Sequence, residues 1–158
     1  MSNEDLIKEL KESFEKMKSD FNIEASFEEV EKIFFIKDYI LREGFVSDKL
    51  ERQISSRIAD LYAGWSNYLH SIIMPNPQNM LNMGESKLFS AEEKKEMTEM
   101  MKKAMELSSR NSLIGLTKDD DEQGKFIDDA VDLWEDLFSV KLIEIMRKIN
   151  KEWKEESE

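Results

Sequence analysis

Five glycines and two prolines punctuate 158 residues, and both prolines, Pro75 and Pro77, fall in one place. Tight turns draw on these residues, and a sheet of many short strands needs a turn every few positions. So few breakers leave long uninterrupted elements, which weighs decisively against an all-β fold. The apolar residues agree. Leu6, Ile7, Leu10, Phe14, Met17 and Phe21 recur at steps of three and four, which predicts a first helix over 4–21. Ser26 with Glu29 forms a capping box ahead of Phe27, Val30, Ile33, Phe34, Ile40 and Leu41, and Gly44 stops that second helix.

Ser47 is placed to cap a third helix, whose stripe Leu50, Ile54, Ile58, Leu61, Trp65, Tyr68, Leu69 and Ile72 runs until Pro75. Residues 74–89 hold both prolines and no consistent period, and read as one long loop. Ser90 with Glu93 is a second capping box, opening a helix that carries Met97, Met100, Met101, Ala104 and Met105 and frays over Ser108–Gly115. A fifth helix begins after Thr117, with Asp119, Asp120, Asp121 and Glu122 at its positive end. Its stripe Phe126, Ile127, Ala130, Val131, Trp134, Leu137 and Phe138 rotates past Ser139 onto Leu142, Ile145 and Ile149, which predicts a bend or break there.

The expectation is an all-α, single-domain antiparallel bundle of about five helices over 1–158, with frayed termini at 1–3 and 154–158. Its core should hold Leu10, Phe14, Val30, Phe34, Leu41, Ile54, Ile58, Leu61, Trp65, Ile72, Trp134, Leu137 and Phe138. Hydrophobic residues at 40% suffice for one.

Charge narrows the function. With 23 basic and 35 acidic residues the net charge of −12 repels phosphate backbones, so no nucleic-acid partner is expected. Cysteine is absent and His70 is the lone histidine, which removes thiolate nucleophiles, Cys-based zinc sites and two-His metal motifs. No apolar run is long enough for a membrane span, and Met1–Asp5 has neither the basic nor the apolar region of a secretory signal. We expect a cytoplasmic protein without a cofactor.

Several constellations invite chemistry. Asp119-x-Asp121-x-Gln123-Gly124 resembles the opening of a calcium-binding EF-hand loop, but Ala130 stands where a bidentate Glu is required. Glu28 with Glu31 and Asp129 with Asp132 are loosely similar to the carboxylate pairs that hold magnesium in all-α nucleotide pyrophosphohydrolases. Helical phase places Asp129 and Asp132 about 140° and 160° from Trp134, on the face away from the core. They are either solvated charge or the metal ligands of an Mg-dependent phosphohydrolase.

Lys37 lies within about 20° of Val30 in helical phase, in the apolar stripe, so its ammonium must snorkel, pair or face a ligand. Ser108 and Asn111 continue the methionine stripe, and a polar pocket shared with Lys37 is one expectation. A methionine-rich surface adapts to partners of varied shape, although the same residues fill cores. His70 points away from the stripe just before the 74–89 loop, and Gly64 reads as a close helix–helix crossing.

No set of residues meets the demands of nucleophilic catalysis. The sequence therefore points first to a non-enzymatic helical protein that docks a protein or peptide partner through the methionine-lined face of the fourth helix and loop 74–89, with a homodimer as a further possibility. The candidate docking residues are Lys37, Trp65, His70, Asn76, Asn79, Met97, Met100, Met101, Met105, Ser108 and Asn111. The alternative is the magnesium-dependent phosphohydrolase using Glu28, Glu31, Asp129 and Asp132.

Overall fold

A computed structural model describes residues 2–156 of the chain. Those residues are all-α, and no strand occurs among them. The helices are α1 (Asn3–Asp20), α2 (Phe27–Phe34), α3 (Ile36–Glu43), α4 (Leu50–Ile73), α5 (Met80–Ser86), α6 (Ala91–Thr117), α7 (Asp120–Leu133) and α8 (Ser139–Glu156). A π-helical turn, Trp134–Phe138, lies between α7 and α8. The expected five helices are thus subdivided. No helix among the described residues is long and apolar enough to cross a membrane.

The chain divides into two compact units. The first comprises the chain up to Leu61 together with Leu107–Asp132. The second comprises Tyr62–Glu106 together with the chain from Leu133 onward.

In the first unit, Ser2 caps α1 by accepting from the Asp5 N–H at 3.1 Å, and Leu6, Leu10, Phe14 and Met17 are buried beneath α2 and α3. Phe14 meets the edge of Phe27 at 5.4 Å. The capping box at Ser26 and Glu29 forms in both directions, and Gly44 ends α3 in the left-handed conformation at φ 85°.

Between these signals the expected second helix breaks at Phe35, which sits at φ 54°. A bulky residue is costly there, so neighbours must hold it. The Glu31 carboxylate accepts the Lys37 N–H at 2.7 Å, opening α3, and Arg57 Nε donates to the Phe34 carbonyl at 3.0 Å, closing α2. The break turns α3 about its axis relative to α2. Ile36 and Ile40 become the buried residues, and Leu41 is only half-buried.

On α4 the buried line is Ile54, Ile58, Tyr62, Ser66, Leu69 and Ile72, one position away from the expected Leu61 and Trp65, which are half-buried. Ser47 begins a turn, its hydroxyl accepting from the Lys49 N–H at 3.0 Å, and α4 starts only at Leu50. The capping box of Ser90 and Glu93 forms at the start of α6. That helix continues through Ser108–Gly115 to Thr117 without fraying, and Lys118 ends it at φ 58°.

In the second unit, Tyr62 stands edge-on to Phe138 at 5.0 Å and to Trp134 at 6.1 Å. Phe138, Leu142, Ile145 and Ile149 are buried, whereas Trp134 and Leu137 are half-buried. The π-helical turn accounts for the rotation of the stripe: one extra residue in the ladder shifts the phase without ending the helix. The expected break near Ser139 is this turn. At the chain ends α1 begins at Asn3 and α8 runs to Glu156, and Met1, Ser157 and Glu158 of the termini expected to fray lie outside the described residues.

Candidate functional site

Within the second unit, the segment expected as a loop is an anchored structure. Asn79 caps α5, accepting from the Asn82 N–H at 3.1 Å, while Asn76 accepts from the Gln78 N–H at 3.0 Å. Asn82 closes the turn: its Oδ1 accepts from the Asn76 N–H at 2.6 Å, and its Nδ2 donates to the Ser71 carbonyl at 2.9 Å. Ser86 donates to the Ile72 carbonyl at 2.6 Å and accepts from Lys94 Nζ at 2.9 Å. Asn76 and Asn79, expected as docking residues, are thereby committed to building the segment.

Glu85 fastens α5 on two sides. One oxygen accepts from the Tyr68 hydroxyl on α4 and the other from Trp153 Nε1 on α8, both at 3.0 Å. Burial pushes the Tyr68 phenol up to about 12, with the Glu85 hydrogen bond and charge adding to the effect. Replacing Glu85 with glutamine should lower the Tyr68 pKa toward its usual value near 10 without reaching it, because burial remains. A raised folded pKa means that this stabilisation is fully present below about pH 10 and is lost as pH rises through about 12. NMR titration of the tyrosine ring carbons checks the shift, and an unchanged Tyr68 in the glutamine variant would refute it.

This rigid segment presents apolar side chains to water. Met80 is 87% exposed, Met74 68% and Leu81 67%. It also belongs to a long run without charge: Leu61–Gly84 contains no Asp, Glu, Lys or Arg, in a chain where those types make up 37%. The next longest such run is Asn111–Thr117.

The methionine face of α6 is divided. Met97 and Met100 are buried in the second unit, Met101 is half-buried, and Met105 alone is well exposed. Met97 and Met100 therefore belong to the core of that unit. Glu93, next to them in chain order, has its carboxyl held below the usual range, first by the Ser90 N–H and then by Lys148 Nζ at 3.1 Å. Trp65 is half-buried with its ring edge-on to Tyr68 at 6.1 Å, and His70 is exposed.

The first unit holds Lys37, Ser108 and Asn111, the residues of the expected polar pocket. Lys37 is half-buried, with its ammonium 5.8 Å from the centre of the Phe27 ring. Ser108 is half-buried. The Asn111 carbonyl accepts from Arg52 Nη2 at 3.0 Å, and its side-chain oxygen is buried without a hydrogen-bond partner among the described residues.

Arg52 is the residue that the sequence did not single out. Its Nη1 donates to Gln123 at 3.0 Å, and Gln123, itself buried, donates to Ser55 at 2.7 Å. The adjoining groove carries Lys49, Arg52 and Lys118 against Glu51, Asp119 and Asp120, so it offers a ligand no net charge.

The acidic motifs resolve into structural roles. Asp119 caps α7, accepting from the Glu122 N–H at 3.2 Å, and Gln123 is turned into the core, which removes two of the ligands the EF-hand resemblance requires. Glu31 is bound to the Lys37 N–H, and Asp129 pairs with Arg110 at 2.9 Å. Glu28 and Asp132 are exposed. Among the described residues no group of three or more His, Asp or Glu side chains is placed to hold a metal ion. Asp128 instead ties α7 to the chain after α1, accepting from the Glu24 N–H at 3.0 Å and the Ala25 N–H at 2.9 Å.

Compared with known protein families, curated proteins and solved structures, the chain matches none of them significantly.

Proposed function

We propose that the chain is a non-enzymatic interaction protein that docks a protein or peptide partner on the segment around Met74, Met80 and Leu81. The observation that carries this reading is the exposure of three large apolar side chains on a segment held in place by Asn79, Asn82, Glu85 and Ser86. Exposed apolar groups on a mobile loop would lose much of their binding free energy to ordering, and a preformed segment avoids that loss. Charge depletion with methionine enrichment is also the composition of interface centres. The docking surface thus narrows to the 74–89 part of the surface expected from sequence, with Met105 as the exposed remainder of the methionine line of α6. The phosphohydrolase reading loses its support, since Glu31 and Asp129 already have structural partners.

The test compares proteins captured from the native host by the wild-type chain and by a Met80→Ser/Leu81→Ser double variant. Both side chains are exposed, so the melting temperature should hold while a specific partner falls at least about tenfold, equal to 1.4 kcal/mol of binding. Equal capture of every protein by the two forms would overturn the proposal.

A further inference from the structure

With cysteine absent, the ten methionines are the side chains of this chain that peroxide oxidises most readily. Among the described residues the structure sorts them steeply. Met17, Met97 and Met100 are buried, at 4%, 2% and 2% exposure, whereas Met80 is 87% exposed and Met74 68%. Met105, at 59%, is the one other well-exposed methionine among the described residues. Two of the three accessible thioethers thus fall on the docking segment.

The way that segment is held makes their placement consequential. Its turn and helix are fastened through Asn79, Asn82, Glu85 and Ser86, and no methionine side chain takes part in those bonds. A thioether here turns polar without removing a fastening. Oxidation of Met97 or Met100 would instead place a sulfoxide in the core and disrupt its packing. Exposure therefore directs an oxidant to the sulfurs whose change the fold tolerates.

We propose that Met80 and Met74 form a peroxide-sensitive modification site, and that their sulfoxides turn the docking segment off. The thioether sulfur donates an electron pair to one oxygen of hydrogen peroxide or an organic hydroperoxide. The O–O bond breaks, and the second oxygen leaves as water or an alcohol after proton transfer. The sulfur loses two electrons and the peroxide gains them. The product side chain carries a strongly hydrated S–O oxygen, which an apolar partner surface would have to strip of water. A thiol-dependent sulfoxide reductase restores the thioether, so the change is reversible. The effect on docking rests on the proposed reading of this segment, whereas the site of oxidation does not.

Limited treatment of the full chain with hydrogen peroxide, followed by peptide mass spectrometry, tests the site. Met80 should be oxidised at least about tenfold faster than Met97 and Met100, which oxidant reaches only when the structure opens. With Met80 and Met74 converted, the melting temperature should hold, and retention on a hydrophobic interaction column should fall and then recover with the reductase. A Met74→Leu/Met80→Leu variant, apolar but without the sulfurs, should keep its retention through the same treatment. Met80 reacting no faster than Met97, or retention lost equally by the leucine variant, would overturn the site. Docking is read separately, by capture from the native host before and after treatment. A protein whose capture depends on Met80 and Leu81, yet which the oxidised chain captures equally well, would overturn the switch alone. Equal capture by the wild type and the Met80→Ser/Leu81→Ser variant would overturn the docking reading and the switch with it, while the oxidation map still decides the site.

Discussion

Gly124→Ala should destabilise the protein by about 3 kcal/mol, at the upper end of what overpacking costs. The direction opposes local preference, since alanine is the better helix former by about 1 kcal/mol. Gly124 is buried within α7, where a Cβ would overlap the carbonyl oxygen of Phe21 and stand 3.2 Å from its carbon. The obstacle is backbone, so no rotamer relieves it. Either α7 or the segment after α1 must move, and that segment is fixed. Asn22 holds φ 53°, the Ile23 N–H reaches the Lys18 carbonyl at 3.0 Å, and the Glu24 and Ala25 N–H groups bond to Asp128 on α7. Moving either part breaks charge-assisted bonds along with the packing. Urea denaturation should show a lower midpoint with an unchanged slope. A variant as stable as the wild type would refute the close approach.

The same glycine shows why the fold was largely legible in the sequence and the site was not. Helix ends carried by local chemistry were readable: the capping boxes at Ser26 and Ser90, the stop at Gly44 and the end of α4 before Pro75. Features made by distant residues had no local signature. Phe35 in a left-handed conformation depends on Arg57 reaching Phe34 from another helix, and α5 depends on Glu85 finding Tyr68 and Trp153. Lys37 entered the apolar stripe only because the phase was carried unbroken through Phe35. Met97 and Met105 have the same composition signal and differ in burial, which depends on what packs over each. Gly124, the sixth position of an apparent calcium loop, is required by packing against Phe21. The run without charge from Leu61 to Gly84 is plain in the sequence and takes in most of the expected 74–89 docking loop, whereas the helical order that α5 gives that loop is not.

Phe34→Ala and Leu61→Ala should separate sharply, although the helical stripes make both look like core. Phe34 has no exposed surface, and its truncation should cost about 3–5 kcal/mol, the transfer of a buried ring plus the cavity it leaves. Its position restricts relaxation. The residue precedes the left-handed Phe35, and its own carbonyl is held by Arg57, so the backbone is pinned on both sides and collapse into the cavity is resisted. Leu61 is half-buried, because the buried line of α4 passes through Ile58 and Tyr62 instead. Its truncation removes side-chain surface that water already reaches in part, and should cost about 1 kcal/mol. Equilibrium unfolding in urea measures both. Equal losses at the two positions would mean that the face of α4 is assigned one residue out of register. A loss below about 1 kcal/mol at Phe34 would mean that the break at Phe35 relaxes, since only a backbone free to follow the missing ring could reduce the penalty so far.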